Sequence, residues 1–174
     1  NYLQSGDNEK ISKIYDLIIR FPDQMEGFVA TFKSHVLKEG DEAVAKLENV
    51  LKVDPKAYIE TILATYSKYE TMVDRALKKD GSFAQAVKDA TKIFLNNNVV
   101  THASKFDDRN AELLAKYCDI ILTKGHGPVL TEEELDVKLK YVMAIFQLLN
   151  DKDGFQKFYE VSLVFLISFE KFKI

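Results

Sequence analysis

A chain of 174 residues with a net charge of -3, 47% apolar and 29% charged residues has the make-up of a folded, water-exposed protein, long enough to bury about 70% of its unfolded surface. The mildly acidic balance argues against nucleic acid or an anionic membrane surface as partner, and no stretch reaches the ~20 apolar residues of a spanning helix. The single cysteine, Cys118, excludes an internal disulfide and fits a reducing, intracellular setting, cytoplasmic or nuclear.

The opening residues Asn1 to Gln4 show no basic-then-apolar signal pattern and no initiator methionine, so the chain reads as an excised piece of a longer protein. Three prolines and seven glycines fall mostly between periodic segments and predict about seven helices, with no strand. The first helix runs from about Asp7 to Arg20, with Ile11, Ile14, Tyr15 and Ile18 on one face, and Phe21-Pro22 ends it. A long second helix follows Asp23, its stripe running from Met25, Phe28, Val29, Phe32 and Val36 to Ala43, Leu47, Val50 and Leu51. Gly40 in its middle predicts a bend within one helix, or else a break into two.

Asp54-Pro55 is a strong start signal for the third helix, a capping carboxylate followed by proline at the first helical position. Ile59, Ile62, Tyr66, Tyr69, Val73 and Ala76 form its seam, and Asp80-Gly81 breaks it. Ser82 is the expected cap of the fourth helix, with Phe83, Ala86, Val87, Ala90, Ile93 and Phe94 inward. Asn96-Asn97-Asn98 is expected to end it through left-handed backbone. An irregular stretch from Val99 to Asp108 leads to a fifth helix, capped by Asn110 or Asp108, with Leu113, Leu114, Tyr117, Cys118 and Ile121 inward. Thr131 with Glu134 forms a capping-box pair at the start of the sixth. That helix carries two apolar stripes, Leu135/Leu139/Val142/Phe146/Leu149 and Val137/Tyr141/Ile145/Leu148, and is expected to pack between neighbours. Asp151 is the expected cap of the seventh. Leu139, Val142, Phe146, Leu149, Leu114, Ile121, Ile62 and Tyr66 are the expected buried anchors.

No catalytic, cofactor-binding or metal-binding constellation emerges. His35, His102 and His126 lack the i, i+4 spacing of a helical metal pair, and a thiolate-rich zinc site needs more than Cys118. Cys118 shares a face with Leu114 and Ile121, as a buried, inert thiol does. Glu132-Glu133-Glu134 fits the positive end of a helix better than acid–base work. Lys124-Gly125-His126-Gly127 lacks the preceding strand and the glycine spacing of a phosphate loop. Tyr58, Tyr66 and Tyr69, at helical spacing, read as core contacts.

Several stretches resemble the third helical repeat of the cullins, scaffolds of multi-subunit RING ubiquitin ligases. IYDLIIRFPDQMEGF resembles its opening helix pair, DPKAYIETILATYSKY and FLNNNVVTH its middle, and AELLAKYCDIIL with EEELDVKLKYVMAIFQLLNDKDGFQKFY its end, in the same order. The resemblance runs from about Ile11 to Tyr159. It implies an all-α, cullin-repeat-type bundle within one helical domain spanning 1–174, with no enzymatic activity of its own. In this family the first repeat holds the substrate-receptor adaptor, and the C-terminal domain holds the RING subunit. The chain would then be a rigid stalk segment between them, with protein partners and neither nucleic acid nor membrane. The rival is a truncated cullin-like interaction module without ligase function; a helical enzyme whose site the sequence hides is a third possibility.

Two places depart from the pattern. Gly154 stands where a branched aliphatic residue is expected, and after Tyr159 the divergent apolar tail 160–174, EVSLVFLISFEKFKI, replaces a basic segment. Val161-Ser162 is what an unspliced intron donor would encode. Val161, Leu163, Val164, Phe165, Leu166, Ile167 and Phe169 point all round a helical wheel, so the tail is expected to fold back or, preferably, to pair two copies through 161–169.

Overall fold

The computed structural model describes Leu3 and residues 7–47, 52–103, 109–122 and 131–158. They form helices α1 (Asn8–Ile18), α2 (Pro22–Ala45), α3 (Pro55–Ala76), α4 (Gly81–Asn96), α5 (Val99–Ala103), α6 (Arg109–Leu122) and α7 (Glu132–Leu148). A further helical run occupies 152–158, and there is no strand among the described residues. The stretch expected to be irregular after Val99 therefore begins with a short helix. Val50, Leu51, Asp108, Lys124 to Gly127 and the 160–174 tail lie outside the described residues.

Local side-chain chemistry starts most of these helices. Asp7 accepts from the Lys10 N–H at 3.1 Å, and Pro22 opens α2 at its first turn. Asp54 accepts from the Ala57 N–H at 3.1 Å, directly before Pro55. Thr131 and Glu134 close a reciprocal capping box, with bonds of 2.9 and 3.2 Å. Asp151 accepts from the Gly154 N–H at 2.8 Å and opens the 152–158 run. Such a cap contributes about 1 kcal/mol.

Two expectations at the α3–α4 corner are corrected. Asp80, not Ser82, caps α4: its carboxylate accepts from the Ser82 N–H at 2.8 Å. The chain leaves α3 through Lys78 and Lys79, at φ 51° and 59°, and Gly81 is already helical. The Lys79 N–H reaches back to the Val73 carbonyl at 3.0 Å. The Val73 carbonyl, in the last turn of α3, thus accepts from both the Leu77 and the Lys79 N–H, at a cost of about 1–2 kcal/mol per left-handed residue.

Helix α3 is the centre of the bundle and touches α1, α2, α4, α6 and α7. Its expected seam, Ile59, Ile62, Tyr66, Tyr69, Val73 and Ala76, is buried throughout, joined by Tyr58, Leu63, Thr65 and Met72. Phe83 of α4 meets Tyr15 of α1 and Phe28 and Phe32 of α2 edge-on, with ring centroids 5.2–6.0 Å apart. Phe32 in turn meets Tyr69 at 5.7 Å. Each such pair contributes about 0.5–1.5 kcal/mol beyond the area it buries.

Gly40 does not interrupt α2, which is one helix from Pro22 to Ala45. It marks a close approach to α4: a Cβ placed there would overlap the Phe94 ring, lying 2.6 Å from Cε1 and 2.7 Å from Cγ.

Inward registers differ from expectation in α4 and α7. Ile93 is 41% exposed, whereas Thr91 and Leu95 are buried. In α7 the buried line is Val142, Ile145 and Leu149, drawn from both expected stripes. Leu139, Phe146 and, on α6, Ile121 are half-buried, not core anchors. Val137 and Met143 are each 54% exposed, so one arc of α7 is covered where two were expected. Val142, Leu149, Leu114, Ile62 and Tyr66 are buried as expected.

Candidate functional site

The strongest concentration of polar chemistry lies where α4 ends. Asn98 is 5% exposed. Its amide nitrogen donates to the carbonyls of Phe94 (2.7 Å) and Leu95 (3.0 Å) and to the Tyr58 hydroxyl (3.0 Å). Its amide oxygen accepts from the Val100 and Thr101 N–H groups at 2.9 and 3.2 Å. Tyr58 donates to Asn110 Oδ1 at 2.6 Å, and Asn110 donates to the Leu95 carbonyl, also at 2.6 Å. Burial pushes the Tyr58 hydroxyl well above the usual phenol range, so it stays a donor.

The Asn98 amide thus ends α4, starts α5 and ties both to α3, and Asn110 extends the network to α6. Asn97 has φ -142°, and the positive-φ residues other than glycine among those described are Lys78 and Lys79 alone. The asparagines therefore end α4 through their side chains, not through the left-handed backbone expected of them. Asn110, expected as a cap, is instead a buried link inside α6.

Charged links join other helix pairs. Glu39 of α2 receives Lys68 at 2.5 Å and the Tyr69 hydroxyl at 2.7 Å from α3. Burial pushes Glu39 up, but these two donors outweigh it and hold the carboxyl below its usual range. Lys138 of α7 reaches Glu60 of α3 at 2.7 Å, and Tyr15 of α1 donates to Asp80 at 2.9 Å.

The remaining polar candidates have structural roles or lie outside the described residues. Cys118 is buried, and that burial pushes its thiol up to about 11, away from the reactive thiolate. Glu134 belongs to the capping box and Glu133 is exposed. His102 Nε2 lies 2.5 Å from Asn97 Oδ1. His126 and the Lys124-Gly125-His126-Gly127 loop fall outside the described residues. Among the described residues no three His, Cys, Asp or Glu side chains group to hold a metal ion, and no helix is long and apolar enough to cross a membrane.

His35 sits between α2 and α3, its side chain 12% exposed and 3.8 Å from Glu39. Among the described residues its Nε2 has no hydrogen-bond partner. Burial is the main force holding its pKa below the ordinary imidazole value; Glu39 and a bond to the Leu3 backbone oppose it, and Lys68 and Lys38 reinforce it. As pH falls, the unfolded chain therefore takes up this proton first. The stability carried by neutral His35 is complete above about pH 6.5 and lost progressively below it. Urea midpoints at pH 7.5 and 5.5 should differ more in the native chain than in His35→Gln; equal differences would remove His35 from the acid response.

Residues 1–164 match the family model described as the cullin alpha solenoid domain. Cullin-1 of Dictyostelium discoideum is 35% identical over 154 residues, which is 88% of this chain and 20% of that protein. Cullin-1 of Caenorhabditis elegans is 32% identical over 155 residues, 87% of this chain and 20% of the relative. Cullin-1 of Schizosaccharomyces pombe is 35% identical over 161 residues, 90% and 21%. The chain spans about a fifth of these relatives. With the family match covering nearly all of a helical bundle tied together by buried asparagine and aromatic links, the chain belongs to the cullin family.

Proposed function

We propose that this chain is a stalk repeat, the third by its resemblance, of an intracellular cullin-RING ubiquitin ligase scaffold. It has no catalytic role of its own: it holds the substrate-receptor end and the RING end at a fixed separation. The observation that carries this reading is the cullin solenoid match over residues 1–164. A core centred on α3, which five other helices touch, suits a part whose task is stiffness, because each neighbour constrains the others. Its partners are then the rest of the cullin scaffold and the proteins assembled on it.

The resemblance assigns adaptor binding and RING binding to other parts of a cullin. The isolated chain should therefore retain neither an adaptor nor a RING subunit in a pull-down, and should release no ubiquitin from a charged conjugating enzyme. Stoichiometric adaptor capture would overturn the stalk assignment.

The second reading, a truncated interaction module, draws on the tail. Seven large apolar residues between Val161 and Phe169, each worth about 1.5–3 kcal/mol when buried, favour pairing with a second copy. Light scattering at tens of micromolar should give a dimer for the full chain and a monomer for a version ending at Glu160. A monomeric full chain would refute the pairing.

A further inference from the structure

We infer that Asn96 is a positioning residue that sets the direction in which the chain runs from α7 into the 152–158 helix. Its amide spans two helix ends. Nδ2 donates to the Leu148 carbonyl at 2.9 Å, at the last residue of α7, and Oδ1 accepts from the Asn150 N–H at 3.0 Å. A further bond from Nδ2 to the Lys92 carbonyl at 2.8 Å fixes the amide plane on α4. One side chain therefore holds a carbonyl and an N–H on either side of Leu149, where the backbone turns from helical to extended at ψ 140°.

The surrounding groups leave little freedom at that turn. Leu149 is 4% exposed, and its N–H bonds to the Ile145 and Phe146 carbonyls. Asp151 then caps the 152–158 helix through the Gly154 N–H. Gly154 is buried, and a Cβ there would overlap the Asp151 carboxylate, whose Cγ lies 2.8 Å away. A side chain at 154 would therefore make the Asp151 carboxylate shift from this position. Phe155 packs on Phe146 with ring centroids 4.9 Å apart. Of these contacts, the Asn96 amide is the one that references the turn to α4, in the body of the bundle. The significance of a fixed direction there rests on the stalk reading; the clamp itself does not.

Hydrogen exchange on the full chain tests the clamp without any ligase component. In Asn96→Ala, amides at 150 and 152–158 should exchange about tenfold faster or more, while those of α3 keep their native protection. Asn96→Asp keeps the acceptor for Asn150 but loses the donor to Leu148, and should retain more protection at 150 than the alanine variant. Unchanged exchange at 150 and 152–158 in Asn96→Ala would overturn the inference. So would an equal loss of protection in α3, which would make Asn96 a general stability residue. Failure of the chain to act in a ligase would leave this result untouched.

Discussion

Asn98→Ala should destabilise the fold by about 3–4 kcal/mol, roughly a 10 °C fall in Tm for a chain of this size. The expected size follows from what is left behind. The Val100 N–H, on a residue 1% exposed, loses its side-chain acceptor. The Tyr58 hydroxyl and the Phe94 carbonyl lose the donor that Asn98 supplies, while the Leu95 carbonyl keeps its bond from Asn110. Buried groups left unpaired cost about 1–3 kcal/mol each, and part of that is recovered by water entering the gap. Asn98→Asp should be no milder, since it removes the same donor and puts a carboxylate into a buried site. A urea titration showing less than ~1 kcal/mol lost in Asn98→Ala would mean that the node is ornament to the fold.

Gly40→Val should cost about 3 kcal/mol or more, and Gly40→Ala about 1–3, although alanine is the better helix former by about 1 kcal/mol. The overlap with Phe94 decides the sign, because that ring is fully buried at 0% exposure and has nowhere to move. Combining Gly40→Ala with Phe94→Leu should be less harmful than the two single losses added together, since the smaller side chain makes room for the methyl. Stabilisation by Gly40→Ala alone, as at an exposed helical glycine, would refute the close approach.

What the sequence revealed of this fold is what depends on near neighbours in the chain. Asp54, Thr131 with Glu134, and Asp151 act within three or four residues of themselves, and the structure uses each as a cap. The seam of α3 was legible because that helix is covered widely enough for its phase to matter little. The α7 register was not: with apolar residues on two stripes, only the positions of α3, α4 and α6 decide that Ile145 is buried and Val137 is not. Helix α2 runs through Gly40 as one helix, as expected, but nothing in the sequence places Phe94 opposite it, so the close approach was not legible. The asparagine run signalled a helix end, but its mechanism needs Tyr58 and Asn110, 40 and 12 positions away from Asn98, and periodicity carries no trace of such partners. The Lys78-Lys79 turn stayed hidden for a related reason, since lysine has no intrinsic preference for positive φ.

The central claim is that this bundle serves inside a cullin scaffold and not alone. An antibody raised to residues 131–158, used on extracts of the cells that make this protein, tests it most directly. Since the chain has a mass of 19.9 kDa and the 88% of it that matches makes up 20% of a Cullin-1 relative, the account predicts a band at roughly 90 kDa that co-precipitates a RING subunit. A band near 20 kDa that brings down no RING subunit would contradict it.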